Sequence, residues 1–250
     1  MRRLRNQLRA GQSTCGMWVT MESPTVTEVA AAVGMDWVCV DMEHGHLDFG
    51  DVIEHLRAAA GTELSVVVRV SDIHRDLVKR ALDMGADGVL LPLVRSAADV
   101  ARGFRYGRYP PRGERGFGGE RAVLWGLGVQ EYLEIADQET LIIPIIETRE
   151  AVEDIEAILA TPGLEAIFFG PADLSASYGY LGHWEGPGVA DTILRVRALA
   201  DARGVAAGVM GRSLDEGRAR LSQGFRMVGV GSDAGLLIEG LTSRMRGLRG

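Results

Sequence analysis

The sequence predicts a single-domain (β/α)8 TIM barrel, and three observations predict it. Short β-rich runs alternate with segments of helical spacing, there are eight such runs, and several are apolar throughout. Strands of a parallel sheet buried on both faces have that last character, because neither face meets water. The first two runs, Thr14–Thr20 and Trp37–Met42, are rich in β-branched and aromatic residues. Ser65–Val70 (SVVVRV) and Gly88–Val94 (GVLLPLV) follow, then Leu141–Glu147 with its LIIPII core, Ala166–Pro171, Val205–Met210 and Met227–Gly231. Helix starts between them carry capping signals: Ser23 before Pro24, Ser96 with Asp99 three residues on, and Ser213 with Glu216 three residues on. An open doubly wound sheet usually has about five to seven strands and a glycine fingerprint after the first, which this chain lacks. At 250 residues the chain is the size of one barrel, so residues 1–250 are expected to form one domain.

Composition narrows the function classes. With 46% hydrophobic and 24% charged residues the chain has ample material for a core. A net charge of −7, with no basic block beyond the first ten residues, argues against nucleic acid or an anionic membrane as main partner. No apolar stretch is long enough to span a bilayer, and no apolar segment follows the basic start, so the expected location is cytoplasmic. Cys15 and Cys39 stand alone without a second pair, which suits buried, inert thiols. Lys79 is the only lysine beside 26 arginines. It falls in a helical segment after the third run, so a Schiff-base mechanism, which needs a reactive lysine at the barrel mouth, has no candidate.

Barrel chemistry sits on the loops that follow the C-terminal ends of the strands. Polar residues there form a short set: Asp41-Met42-Glu43-His44-Gly45, Arg69, Glu147, Asp173 and Ser232-Asp233. An arginine inside SVVVRV implies a carboxylate neighbour or an anionic ligand, since a guanidinium is costly to bury alone. Glu147 and Asp173 end neighbouring strands and could converge as two hard oxygen ligands for Mg²⁺, Mn²⁺ or Co²⁺; the alternative is a helix cap and a salt-bridge partner. Asp41 and His44 share one tight loop, where a carboxylate could orient the imidazole as a general base. His46, His55, His74 and His183 are expected to be structural, with His55 and His74 on helix surfaces. The arginine-rich stretch from Arg102 to Arg121 reads as a solvated loop, or as a lid or subunit contact presenting positive charge, with Arg115 the foremost candidate. Gly229-Val230-Gly231 imitates part of a phosphate-binding turn, but it follows the last strand.

Taken together, WVCVDMEHG (37–45), VVVRV (66–70), ALDMGADGVLLPLV (81–94), RYPPRGERGFG (108–118), PIIETREAVEDI (144–155), FFGPADLSASYG (168–179) and FRMVGVGSD (225–233) resemble the HpcH/HpaI aldolase/citrate lyase family. The resemblance implies a metal-dependent class II pyruvate aldolase of sugar-acid or aromatic catabolism that reversibly cleaves a 4-hydroxy-2-oxo acid of sugar-acid or dicarboxylate type to pyruvate and an aldehyde. It makes Glu147 and Asp173 the ligands of a metal that chelates pyruvate and stabilises its enolate. Arg69 then holds the enolate oxygen, and His44, oriented by Asp41, moves the proton of the C4 hydroxyl. Backbone N–H groups at Ala172 and Asp173 bind the pyruvate carboxylate, and Trp18 and Met210 wall the acceptor pocket. The family also implies a homohexamer built as a trimer of dimers that exchange their last helix, here Ala234–Leu248. One departure stands out: many members carry Gln where this chain has Ile145. Oxaloacetate decarboxylation through the same enolate is the alternative activity, and a non-catalytic carboxylate-binding barrel is the alternative of another class.

Overall fold

The computed structural model describes residues 3–249, so Met1, Arg2 and Gly250 of the expected 1–250 domain lie outside the described residues. Among the described residues eight strands form: β1 (Thr14–Val19), β2 (Trp37–Asp41), β3 (Ser65–Arg69), β4 (Gly88–Leu91), β5 (Leu141–Ile146), β6 (Ala166–Phe169), β7 (Ala206–Met210) and β8 (Met227–Ser232). Each pairs in parallel with the next, and β8 pairs with β1 to close the barrel. The helices are α1 (Arg3–Arg9), α2 (Thr25–Ala32), α3 (Phe49–Ala58), α4 (Arg75–Asp83), α5 (Ala97–Gly107), α6 (Val129–Glu139), α7 (Arg149–Glu153), α8 (Ile155–Leu159), α9 (Pro171–Ser177), α10 (Val189–Asp201), α11 (Leu214–Ser222) and α12 (Asp233–Arg249). The predicted barrel is therefore the observed fold. The last residues of several predicted runs, including Met42, Val94, Glu147 and Pro171, lie just past the strand ends, where the loops of the barrel mouth begin.

Alternate residues of each strand serve two apolar layers. Trp18, Trp37, Cys39, Val67, Leu90, Ile143 and Phe168 fill the barrel interior, while Val38, Val40, Val66, Val68 and Ile142 pack outward against the helices. Trp37 and Phe168 meet edge to face at 6.2 Å between centroids. Space for that layer comes partly from Gly16, where a Cβ would collide with Trp37. The basic N-terminal segment plugs the opposite end: Leu4 and Leu8 of α1 join the interior cluster, and Arg5 and Arg9 both bond the Glu165 carboxylate. Those two guanidiniums outweigh burial and hold Glu165 below the usual carboxylate range. Cys39 is fully buried and burial pushes its thiol up; burial raises the half-buried Cys15 as well. Among the described residues no helix is long and apolar enough to cross a membrane.

Three local expectations need correction. Ser96 and Ser213 accept N–H bonds from Asp99 at 3.4 Å and Glu216 at 3.2 Å, but Ser23 does not cap α2. Pro24 stands at that N-cap with φ −63, already helical, and no side chain caps the turn. His55 lies on the buried face of α3 instead of its surface, at 0% exposure. Its Nδ1 meets Thr27 Oγ1 at 2.7 Å and its Nε2 lies 3.2 Å from the Met21 carbonyl, so the ring ties α3 to α2 and the chain before it. His74 is exposed, as expected, but at the start of α4, where its Nδ1 accepts the Asp76 N–H at 3.3 Å.

Burial lowers the His55 pKa from its ordinary value. The unfolded chain then binds a proton that the folded one refuses, so this ring contributes stability above the unfolded pKa near 6.5 and loses it as pH falls below that. His55→Gln should lower the melting temperature at pH 8 and flatten the decline between pH 7 and pH 5, as read by thermal melts across that range. Parallel declines in the two proteins would remove His55 from the account.

Arg115 is the third correction. It is buried at 2% exposure on the barrel flank, with Nη2 2.7 Å from Asp83 Oδ1 and both amino groups 3.3 Å from the Tyr132 hydroxyl. The Tyr109 ring lies 4.6 Å from its guanidinium carbon. Arg108 donates to the Thr140 carbonyl at 3.3 Å, and Arg121 to the carbonyls of Met84 and Leu56. These arginines fasten the loop between α5 and α6 to the barrel instead of presenting charge to the mouth.

Candidate active site

A cavity of about 340 Å³ opens at the C-terminal mouth of the barrel. Trp18, His44, Arg69, Glu147, Asp173 and Met210 line it, with Ala172 and Ile145 beside them. Larger hollows lie along α12 and beside Arg121, but neither reaches Glu147 or Asp173. Seven of the eight candidate residues thus meet in one place, contributed by β1, β3 and β7, the segments just after β2 and β5, and the start of α9.

The eighth, Asp41, sits beneath them at 2% exposure, and its expected role is corrected. Parallel register places Asp41 directly opposite Arg69 on neighbouring strands. Its carboxylate accepts Arg69 Nε at 2.8 Å and Nη2 through its second oxygen, forming a two-point fork. It also accepts the backbone N–H groups of Glu43 at 3.0 Å and His44 at 3.3 Å. Among the described residues no bond runs from Asp41 to the imidazole. Asp41 therefore positions Arg69 and the loop that carries His44, not the ring itself.

Arg69 is held from a second side by Glu43, whose Oε2 lies 2.8 Å from Nη1 at ion-pair distance without hydrogen-bond alignment. Burial works against the charged guanidinium, yet the bonds and charge of Asp41 leave it above its ordinary pKa. Trp18 lies 5.8 Å from the same guanidinium carbon and packs on Phe168 at 5.0 Å. A charged guanidinium is so held at the cavity wall by two carboxylates, which answers the oddity of SVVVRV.

Glu147 is 2% exposed just past β5. Its Oε1 accepts the Leu93 N–H at 2.6 Å, and Leu93 adopts φ 50. That left-handed backbone is unfavourable for leucine, and here it aims an N–H at the carboxylate. Gly170 lies so close that a Cβ there would fall 2.9 Å from Glu147 Cβ and collide with Oε2. Burial pushes the Glu147 pKa up to about 7; the Leu93 bond opposes this, and the charges of Glu43 and Asp173 add to it. Burial likewise raises Glu43, with Arg69 opposing. Asp173 is exposed at the third position of α9, which excludes its alternative reading as N-cap; Gly170 holds that place.

These carboxylates suit a divalent cation. The Asp173 charge raises the pKa of both Glu43 and Glu147, and the Glu43 charge raises Glu147 further, as expected of a cluster short of positive charge. Neither Glu147 Oε2 nor the Asp173 carboxylate has a hydrogen-bond donor among the described residues, and both are hard oxygen ligands. No set of three or more His, Cys, Asp or Glu side chains is grouped to hold a metal among the described residues, so a pair leaves most coordination positions open. Lys79 lies on α4 against Asp76 at 3.4 Å, away from the cavity. Sequence reasoning gave Glu43 no role and passed over Arg212 and Trp184, which also line the mouth. Arg212 follows β7 by two residues, a position that marks it; Trp184 sits mid-loop with no such signal.

The model of the HpcH/HpaI aldolase/citrate lyase family matches residues 14–240. A 4-hydroxy-2-oxovalerate aldolase of Novosphingobium aromaticivorans is 36% identical over 96% of this chain and 91% of its own length. A 5-keto-4-deoxy-D-glucarate aldolase of Salmonella arizonae is 37% identical over 93% and 91%. Among solved structures, an HpcH/HpaI aldolase/citrate lyase family protein from Burkholderia cenocepacia superimposes with a TM-score of 0.95 at 35% identity, covering 100% of both chains.

Proposed function

The chain belongs to the HpcH/HpaI aldolase/citrate lyase family, and the two relatives named above are aldolases and hence carbon–carbon lyases. On that premise we propose that it is a divalent-metal-dependent aldolase that cleaves a 4-hydroxy-2-oxo acid to pyruvate and an aldehyde. One observation carries the reading: the Arg69 fork, fixed by Asp41 and Glu43, lines the same cavity as the Glu147 and Asp173 carboxylates and His44. Glu147 and Asp173 would hold Mg²⁺, Mn²⁺ or Co²⁺, which supplies Lewis-acid polarisation of the substrate's keto and carboxylate oxygens.

The chain's own residues do the rest. In cleavage the C3–C4 bond breaks, its electron pair passes into the C2 keto group as an enolate, and C4 becomes the aldehyde carbonyl. His44, at the cavity wall, takes the proton of the C4 hydroxyl as C4–O becomes C=O; protonation of C3 completes pyruvate. Arg69 faces the oxygen on which negative charge develops, and being already rigid it needs no reorganisation as that charge appears. The first-turn N–H groups of Ala172 and Asp173 have no intrahelical acceptor and stand ready for the pyruvate carboxylate. Trp18, Met210 and Ile145 give the aldehyde end apolar walls. The Ile145 side chain supplies no hydrogen-bonding group to the cavity.

The reading extends to other copies of the chain. On α12, Leu237, Ile238, Leu241, Met245 and Leu248 are all exposed, an apolar stripe with i, i+4 spacing that a second subunit would cover. Exchange of this helix within dimers, and assembly of dimers into a hexamer, is the arrangement we infer.

A panel of aldehydes offered with pyruvate and a divalent cation, read by mass spectrometry, tests the activity. Addition products are expected with at least some aldehydes. Carbon dioxide release from oxaloacetate with no addition product would favour the decarboxylase, and no turnover of either kind would leave a binding barrel.

A further inference from the structure

Two groups at the cavity rim are unused by the chemistry above, and they are tied together. Arg212, just after β7, keeps its backbone N–H 2.8 Å and its Nε 3.0 Å from the same Glu216 oxygen. Its two terminal amino groups have no acceptor among the described residues. Trp184 lies 5.3 Å under the guanidinium carbon, and its indole N–H, screened from solvent, also lacks an acceptor. Both residues line the cavity.

The surroundings hold this pair in place. Fully buried Ser175 pins the loop after α9, donating to the Trp184 carbonyl at 3.2 Å and accepting the Gly186 N–H at 2.9 Å. Arg220, 4% exposed, bonds Glu185 next to Trp184 and lies 3.6 Å from Glu216. Glu185, Arg220, Glu216 and Arg212 therefore form one chain of alternating charge that returns to Trp184. A guanidinium fixed through Nε, with its amino edge free, is set up for two-point recognition of a planar anion.

Charge in the cavity shows where that anion must come from. Glu147, Asp173 and Arg69 serve the pyruvate portion, and Arg212 is the other guanidinium among the residues that line the cavity. A substrate whose pyruvate portion reaches the floor leaves its aldehyde portion toward the rim. A carboxylate on that portion would there meet the free amino edge of Arg212. We propose that Arg212, packed over the Trp184 ring, is a specificity-determining residue of this chain that binds a terminal carboxylate on the aldehyde portion. This rests on the aldolase reading.

The test compares aldol addition of pyruvate to succinic semialdehyde with addition to butanal, its counterpart without the charge, using the metal-loaded enzyme. Glyoxylate against acetaldehyde adds a shorter pair. In Arg212→Gln the ratio of kcat/KM for charged over neutral aldehyde should fall about tenfold or more, mostly through KM, with Arg212→Lys recovering part of it. Trp184→Phe should lower the same ratio by a smaller factor. Thermal melts check that the variants fold, which the 59% exposure of the Arg212 side chain favours. An unchanged ratio in a folded Gln variant overturns the assignment. Addition to neither aldehyde by the unaltered protein defeats the aldolase reading itself, and the role of Arg212 falls with it.

Discussion

Replacing Arg69 by alanine is expected to lower pyruvate release from a 4-hydroxy-2-oxo acid by about 10²- to 10³-fold, the range seen when a single preorganised donor to a developing oxyanion is removed. The loss should fall on kcat more than on KM, because the guanidinium acts where charge appears during bond cleavage. A second consequence is structural. Asp41 is 2% exposed and Glu43 is held at the same guanidinium, so alanine leaves two screened carboxylates without their cation. Breaking such a pair costs about 3–5 kcal/mol, and the melting temperature should drop with activity. Arg69→Lys separates the two effects: it keeps a positive charge between Asp41 and Glu43 but cannot reproduce the fork to both Asp41 oxygens. A folded lysine variant with near-normal turnover would show that the charge alone suffices and would overturn the part given to the two-point fork.

Glu147→Gln should produce the opposite pattern in stability with a similar loss of activity. The amide oxygen can still accept the Leu93 N–H, and its volume fits beside Gly170, so the local backbone need not move. Removing one charge from a cluster that includes Glu43 and Asp173 relieves repulsion, and in a chelating buffer the variant should melt no lower than the unaltered protein. Divalent cations should then raise the melting temperature of the unaltered protein and leave the variant nearly unmoved, since stabilisation follows the affinity of the folded state for the ion. Turnover should fall by at least about 10²-fold, reflecting the lost ligand. Equal stabilisation of both proteins by the ion would place the cation elsewhere.

Much of this molecule was legible in its sequence because a parallel barrel writes its strands as apolar runs. SVVVRV, GVLLPLV and LIIPII could only be buried on two faces, and polar residues at the ends of such runs stood out against them. Arg69, Glu147, Asp173 and His44 were found that way. What escaped depended on register and on distant contacts. Asp41 and His44 are neighbours in sequence, but the pairing of β2 with β3 delivers Asp41 to Arg69, 28 positions away. Arg115 looked like a loop charge because its partners, Asp83 and Tyr132, lie 32 and 17 positions off. His55 occupies the same helix stripe as Val52, Leu56 and Ala59, a spacing that marks it as inward despite its polarity. Glu43 was visible inside DMEHG, yet its part in holding Arg69 emerges only when the loop folds over β3.

The single lysine bears on the whole account. Lys79 stands on α4, bound to Asp76 and remote from the cavity, so carbonyl activation through a lysine is closed to this chain. The carboxylates Glu147 and Asp173 stand at the mouth where that lysine would have to be. Pyruvate release from a 4-hydroxy-2-oxo acid, followed in the presence of EDTA and again after adding Mg²⁺, Mn²⁺ or Co²⁺ in excess, tests this most directly. Release should cease in the chelator and return with the cation; undiminished release in EDTA would contradict the metal-dependent mechanism.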